Sequence, residues 1–222
     1  MTTMISQECK CALCGALNQC DMLASTNTFG GLDTEFRTHA AGYDPLPLYV
    51  HTCITCGYSA YDIEENLLSD DVAGIKEIVD SFFSEEQQFD KEKMPPYKQY
   101  ELVAQIMNVK HAAGNSIAET YLRAAWVADD YEQGSLAKRY RKNAASLLAQ
   151  ILATEKDGSV KAEKMFRLAE IYRRSGEFEL ASKTREKISK DKSHPDLLLA
   201  SSKLQDLVLQ NKDGKVMFAE IL

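Results

Sequence analysis

No cysteine lies beyond residue 56 of this 222-residue chain; all six fall between residues 9 and 56. The opening stretch, Met1-Thr-Thr-Met-Ile-Ser-Gln-Glu-Cys-Lys10, lacks both the positive start and the apolar run of a secretory signal. Long hydrophobic runs are missing throughout. The longest aliphatic stretches, such as Leu197-Leu198-Leu199-Ala200, fall far short of the roughly 20 residues that cross a bilayer. These absences argue against membrane association and predict a cytoplasmic protein. In such a compartment, clustered cysteines point to metal before disulfide.

What is present suits a soluble globular chain: 45% hydrophobic and 27% charged residues, enough to bury a core. The length exceeds one typical domain and falls short of two large ones, which predicts two unequal domains. The net charge of −7 hides an asymmetry. Residues 1–92 carry 16 acids against four bases, and the remainder 17 acids against 22 bases. The cysteine-bearing part is therefore the acidic part, which makes nucleic acid an unlikely partner for it.

Residues 1–62 have no helical periodicity, and Ser25 to Pro47 reads as polar, glycine-containing loop. Leu48-Tyr-Val-His-Thr52 is β-prone and reads as a strand entering the second cysteine pair. From about Ile63 the texture changes. Val72, Ile75, Val79, Phe82 and Phe83 recur at three- and four-residue steps, the mark of an amphipathic helix. A charged segment, Ser84 to Lys93, ends at Met94-Pro95-Pro96, which reads as a linker or corner. Beyond it, helical pattern covers about 97–113, 116–131, 135–154, 159–175, 177–190 and 195–210. Gly114, Gly134, Gly158 and Gly176 fall between these segments, where helix ends favour glycine.

Residues 162–195 place Leu168, Ala169, Tyr172, Gly176, Phe178 and Ala181 at the offsets of a tetratricopeptide (TPR) unit of about 34 residues. Ala169 and Ala181 let two helices approach closely. Forty-four residues earlier, Ala125 and Ala137 repeat those two positions, with Ala128 in place of Tyr172. The expectation is a mostly α protein: a zinc-ribbon-like domain over 1–62, a connecting helix and linker over 63–94, and a TPR-like α-hairpin array over 95–222.

Cys11-Ala-Leu-Cys14-Gly15 and Cys53-Ile-Thr-Cys56-Gly57 carry the chemistry. Each Cys-x-x-Cys turn brings two sulfurs to one side of a tight loop. A following glycine can take positive φ and turn backbone N–H groups toward the thiolates. Four thiolates saturate zinc and leave no position for a reacting water, so the expected cofactor is structural Zn2+ on Cys11, Cys14, Cys53 and Cys56. Such a site supplies roughly 10–16 kcal/mol of apparent binding free energy, enough to fold a domain with little core. The 38 residues between Cys14 and Cys53 exceed the usual ribbon spacing and read as an inserted loop. Redox chemistry is the competitor, but neither pair opens a helix in a βαβ pattern. Cys9 and Cys20 read as ordinary thiols, although Cys9 lies two residues from Cys11.

Cys11-x-x-Cys14-Gly15, Asp33-Thr-Glu-Phe36, Asp44-Pro45 with Tyr49 and Val50, and Cys53-x-x-Cys56-Gly57-Tyr58-x-Ala60 follow one another in an order that resembles an uncharacterised bacterial family, domain of unknown function twenty-two twenty-five. The resemblance implies paired CxxC knuckles joined to a TPR-like helical tail over nearly the whole chain, and implies no activity. The sequence departs from that pattern in lacking a proline after the first cysteine of each pair.

Asp33, Glu35, His39 and His51 suggest a hydrolytic cluster, with Asp33 and Glu35 on one side of an extended segment. The plainer reading is a loop in which both acids make turn or salt-bridge contacts with Arg37. The basic run Lys138-Arg-Tyr-Arg-Lys142 spreads around a helix axis and reads as solvated surface. The leading functional expectation is a non-enzymatic adaptor that binds a protein or peptide through the TPR-like surface. On repeat numbering that surface includes Glu119, Trp126, Asp129, Glu170, Arg173 and Arg174. Trp126 suits core equally well, and the two arginines equally suit a solvated helix end. The alternatives are an enzyme acting on a small substrate near Asp33, Glu35 and His39, and a nucleic-acid-binding zinc ribbon.

Overall fold

The computed structural model describes residues 2–85, 90–155, 157–188 and 195–221. Among these it holds seven α-helices and three short antiparallel strand pairs, with all paired strands before residue 61. The chain is mostly helical, as the periodicity predicts.

The first strand pair is a hairpin, β1 (Thr3–Lys10) with β2 (Leu17–Ser25), in one register from Met4↔Leu23 to Lys10↔Leu17 and shifted at Thr3↔Ser25. Cys11–Gly15 forms its turn. The sequence showed no strand here because only Cys9 of the eight β1 residues is buried, so no alternation is written into it. A two-residue pair, β3 (Gly31–Leu32) with β4 (Thr38–His39), follows inside the expected loop. The predicted 48–52 strand shrinks: Leu46–Leu48 is a 3-10 turn, and only His51–Thr52 (β5) pairs, with Ser59–Ala60 (β6). Both cysteine turns therefore sit between the arms of short antiparallel pairs.

Helix α1 (Ser69–Glu85) buries Ile75, Val79 and Phe82 on one face. That face packs with Leu102 and Ile106 of α2 (Pro96–Val109) around Cys9, Cys11, Cys20 and Cys53. The cysteine pairs thus have a core of their own, contrary to the expectation of little core. Pro96 opens α2 at its first position, where the missing N–H costs nothing.

Beyond α2, each helix packs on the next: α3 (Gly114–Asp130), α4 (Gly134–Thr154), α5 (Gly158–Ser175), α6 (Phe178–Ile188) and α7 (Pro195–Leu209). Ala125, Ala137, Ala169 and Ala181 are all buried, as their small size at helix contacts requires. Residues 189–190, at the end of one predicted helix, lie outside the described residues. Gly176 does end α5, at φ +83, with Glu177 N–H donating to the Tyr172 carbonyl. Gly114, Gly134 and Gly158 instead open α3, α4 and α5. The left-handed stops before α3 and α4 fall on His111 (φ 51) and Glu132 (φ 58).

Candidate metal centre and the buried ion cluster

The sulfurs of Cys11, Cys14, Cys53 and Cys56 all lie within 4.8 Å of one another. Cys11 to Cys56 and Cys14 to Cys53 are each 3.7 Å apart. A tetrahedral ion with metal–sulfur bonds of about 2.3 Å spaces its ligands about 3.8 Å apart. A disulfide would bring them to about 2.05 Å. Four unbonded thiols, two pairs of them at the tetrahedral edge length, fit a metal ion, and a four-sulfur shell closes it.

The local backbone explains the convergence. Gly15 and Gly57 take φ +75 and +88, and their N–H groups close each turn on the carbonyls of Cys11 and Cys53 at 2.8 Å. Tyr58 N–H reaches Cys56 Sγ at 3.5 Å. Burial pushes the Cys53 thiol up, but N–H donors of Cys56, Thr55 and Asn18 outweigh it and bring the thiol down to about 7. Cys11 moves the other way, pushed up to about 11 mainly by burial. Asn18 had no signal in the sequence: it lies on β2, donates to Cys53 Sγ at 3.6 Å, and accepts the Ile54 N–H at 3.0 Å. It ties one cysteine turn to the hairpin of the other.

One expectation changes here. Cys9 and Cys20 are joined in a disulfide across the β1–β2 hairpin and are not ordinary thiols. Their diagonal register on one face brings them together, since Cys9 lies opposite Asn18, and Cys20 opposite Gln7. His51 is buried, which lowers its pKa, and it stands outside the four-sulfur group.

Asp33–Arg37 is not the extended stretch that would align two acids. Asp33 Oδ1 accepts the N–H groups of Glu35 and Arg37, and Phe36 turns the chain at φ 65. The turn delivers Glu35 into the helical half. There its carboxylate accepts two bonds from Arg141, at 2.8 and 2.6 Å, and one from the Trp126 indole at 3.2 Å. Arg174 lies 3.8 Å away. Burial alone would raise the Glu35 carboxyl, but Arg141 and then Arg174 outweigh it and hold it at about 2. Asp33 goes the opposite way, raised by burial, while His39, 2.9 Å from its other oxygen, pulls it down in part. Asp33 thus makes the expected turn contact with the Arg37 N–H, but the Arg37 guanidinium pairs with neither acid; it pairs with Asp44 and Asp130.

Five of the six residues expected on a concave surface belong to this cluster. Trp126, Glu170, Arg173 and Arg174 are buried. Glu170 pairs with Arg173 and accepts the Thr34 hydroxyl, and Arg173 also donates to the carbonyls of Lys212 and Gly214. Asp129 accepts from Arg141 and Arg174. The two arginines are therefore not solvated helix ends, and the chain's own turn occupies their face. Glu119 lies apart from the cluster, half-buried at a cleft and paired with Arg167 at 2.8 Å. The basic run divides likewise: Lys138, Arg139 and Lys142 are exposed, but Tyr140 and Arg141 are fully buried. Arg141, central to the cluster, sat unnoticed in a run that read as surface.

A family described as uncharacterised protein conserved in bacteria (DUF2225) matches residues 4–214, and the chain belongs to it. No curated protein and no solved structure matches the chain.

Proposed function

We propose that this is a zinc-binding structural protein with no active site of its own, whose helical half acts as a TPR-like scaffold for a protein or peptide. The closed four-thiol group carries the reading: every ligand position belongs to a cysteine, so a bound ion holds no water to activate. Soft thiolates in a tetrahedron select zinc over oxygen-seeking cations.

The ion cluster supports the scaffold half of the proposal. The helices already hold a stretch of polypeptide, the Asp33–Arg37 turn, through Arg141 on a carboxylate and Arg167 on the Glu35 carbonyl at 2.9 Å. Paired guanidinium contacts of this kind suit peptide recognition. The same contacts weigh against the enzyme alternative. Glu35 is locked as an anion, and the cavity beside it measures only about 220 Å3 and is lined by Asp33 and Glu35 but not by His39. That is below the roughly 300 Å3 of a usual small-ligand site.

Affinity purification of the zinc-loaded chain from a bacterial lysate, followed by hydrogen-exchange mapping of the complex, tests the proposal. A protein partner that slows exchange within residues 95–222 is the expected result. Contradiction would come from a partner that protects only the β1–β2 hairpin, or from substrate turnover that Asp33→Asn abolishes.

A further inference from the structure

A cleft of about 590 Å3 lies among α2, α3, α4 and α5, separate from the metal centre and from the Glu35 cavity. Its size falls within the roughly 300–1,000 Å3 of small-ligand pockets. Met107 gives it apolar surface, with the buried Leu122 and Leu148 behind it, and the Tyr61 ring stands beside them. Three cations, Arg123, Lys164 and Arg167, face a single carboxylate, Glu119. In a chain with a net charge of −7, this is a local excess of positive charge.

The three cations are not equally engaged. Lys164 pairs with Glu155 at 2.7 Å, and Arg167 pairs with Glu119 at 2.8 Å and bonds the Glu35 carbonyl. Arg123 has a distant share of the same carboxylate, 3.7 Å from its Nε, and donates to the Tyr61 hydroxyl. Its guanidinium lies over the rings of Tyr49 and Tyr61, at 5.8 and 5.5 Å. Two tyrosines thus fix its position without neutralising it, so a fork of donors is held ready at the edge of an apolar pocket.

We propose that this cleft binds a small organic oxyanion, with its carboxylate or phosphate head on Arg123 and an apolar, ring-sized body against Met107 and the leucines behind it. Arg167 and Lys164 add attraction, and Glu119 sets the limit by competing for the same guanidinium groups. The inference concerns a small ligand and stands apart from the scaffold reading, whose partner is a polypeptide.

Titration calorimetry on the zinc-loaded full chain tests it with four probes: phenyl phosphate, benzoate, inorganic phosphate and neutral benzyl alcohol. One of the two aryl anions should bind at a single site, and the stronger of them assigns the head group. Inorganic phosphate and benzyl alcohol should each bind at least about tenfold more weakly, because each lacks one half of the match. Arg123→Gln should weaken the aryl anion about tenfold or more. Glu119→Gln should tighten it, an effect of opposite sign that a misfolded protein cannot mimic. The proposal is overturned if neither aryl anion binds at millimolar concentration, if inorganic phosphate binds as well as phenyl phosphate, or if Glu119→Gln leaves affinity unchanged.

Discussion

Glu35 and Arg141, 106 residues apart, meet in a two-bond ion pair with both side chains 1% exposed. One comes from the turn between β3 and β4, the other from the middle of α4. The pair thereby ties the cysteine-bearing segment to the helices. Around it, Trp126 and Arg174 complete the surroundings of the carboxylate, and Asp129 balances the second arginine.

Glu35→Gln is expected to destabilise the fold by roughly 3 kcal/mol, because the buried Arg141 loses its two-bond partner and keeps only the half-buried Asp129. Urea denaturation of the variant and the parent measures the difference. A loss below about 1 kcal/mol would mean that the pair is offset by its own desolvation.

The same pair sets a pH window. The Glu35 carboxyl, ordinarily near 4.5, is held at about 2 in the fold. The unfolded chain therefore binds more protons between those values, so stability is present above pH 4.5 and is lost as pH falls toward 2. That loss is roughly 3 kcal/mol. Asp33 works against it, since its raised pKa lets the folded state take up a proton first. Comparing the parent with Glu35→Gln over pH 2 to 5 removes the part of the Asp33 contribution that comes from burial, leaving only the part due to the Glu35 charge, and the gap between the two should narrow as pH falls.

The helices were legible because their cores repeat locally: Ile75, Val79 and Phe82 mark α1 at helical steps, and all three are buried. The four metal-site cysteines were legible because each CxxCG turn is complete within five residues. The ion cluster was not. A pairing between Glu35 and Arg141 leaves no local period, and a charged residue in a run of charges gives no sign of burial. The β1–β2 hairpin was hidden for the opposite reason, since almost nothing on β1 is buried. Arg173 and Arg174 show the same limit, because repeat offsets placed them on a face but could not show the chain's own turn covering it.

Gly57 is needed twice over, for its φ of +88 and for room: a Cβ there would lie 2.4 Å from the Phe83 ring of α1. Gly57→Ala should cost roughly 2 kcal/mol or more, from the left-handed backbone and the displaced ring together. It should also weaken metal retention, read as faster release to a chromogenic chelator. Gly15→Ala, which meets only the end of Lys10 at 3.9 Å, should show the backbone cost alone.

Glu132 is exposed and stops α3 at φ 58, with Gln133 N–H donating to the Ala128 carbonyl. Glycine at this position removes the left-handed penalty and loses some chain entropy, for a net gain of up to about 1 kcal/mol. Thermal unfolding of Glu132→Gly should show a higher Tm, whereas a lower one would mean that the glutamate side chain stabilises this turn.

The central claim is one closed zinc site on Cys11, Cys14, Cys53 and Cys56. X-ray absorption at the zinc edge, on purified chain with its metal content determined by elemental analysis, tests it most directly. The account predicts one zinc per chain with four sulfur neighbours at about 2.3 Å and no nitrogen or oxygen neighbour. A shell containing nitrogen or oxygen would contradict it, as would metal-free protein with those four cysteines oxidised to disulfides.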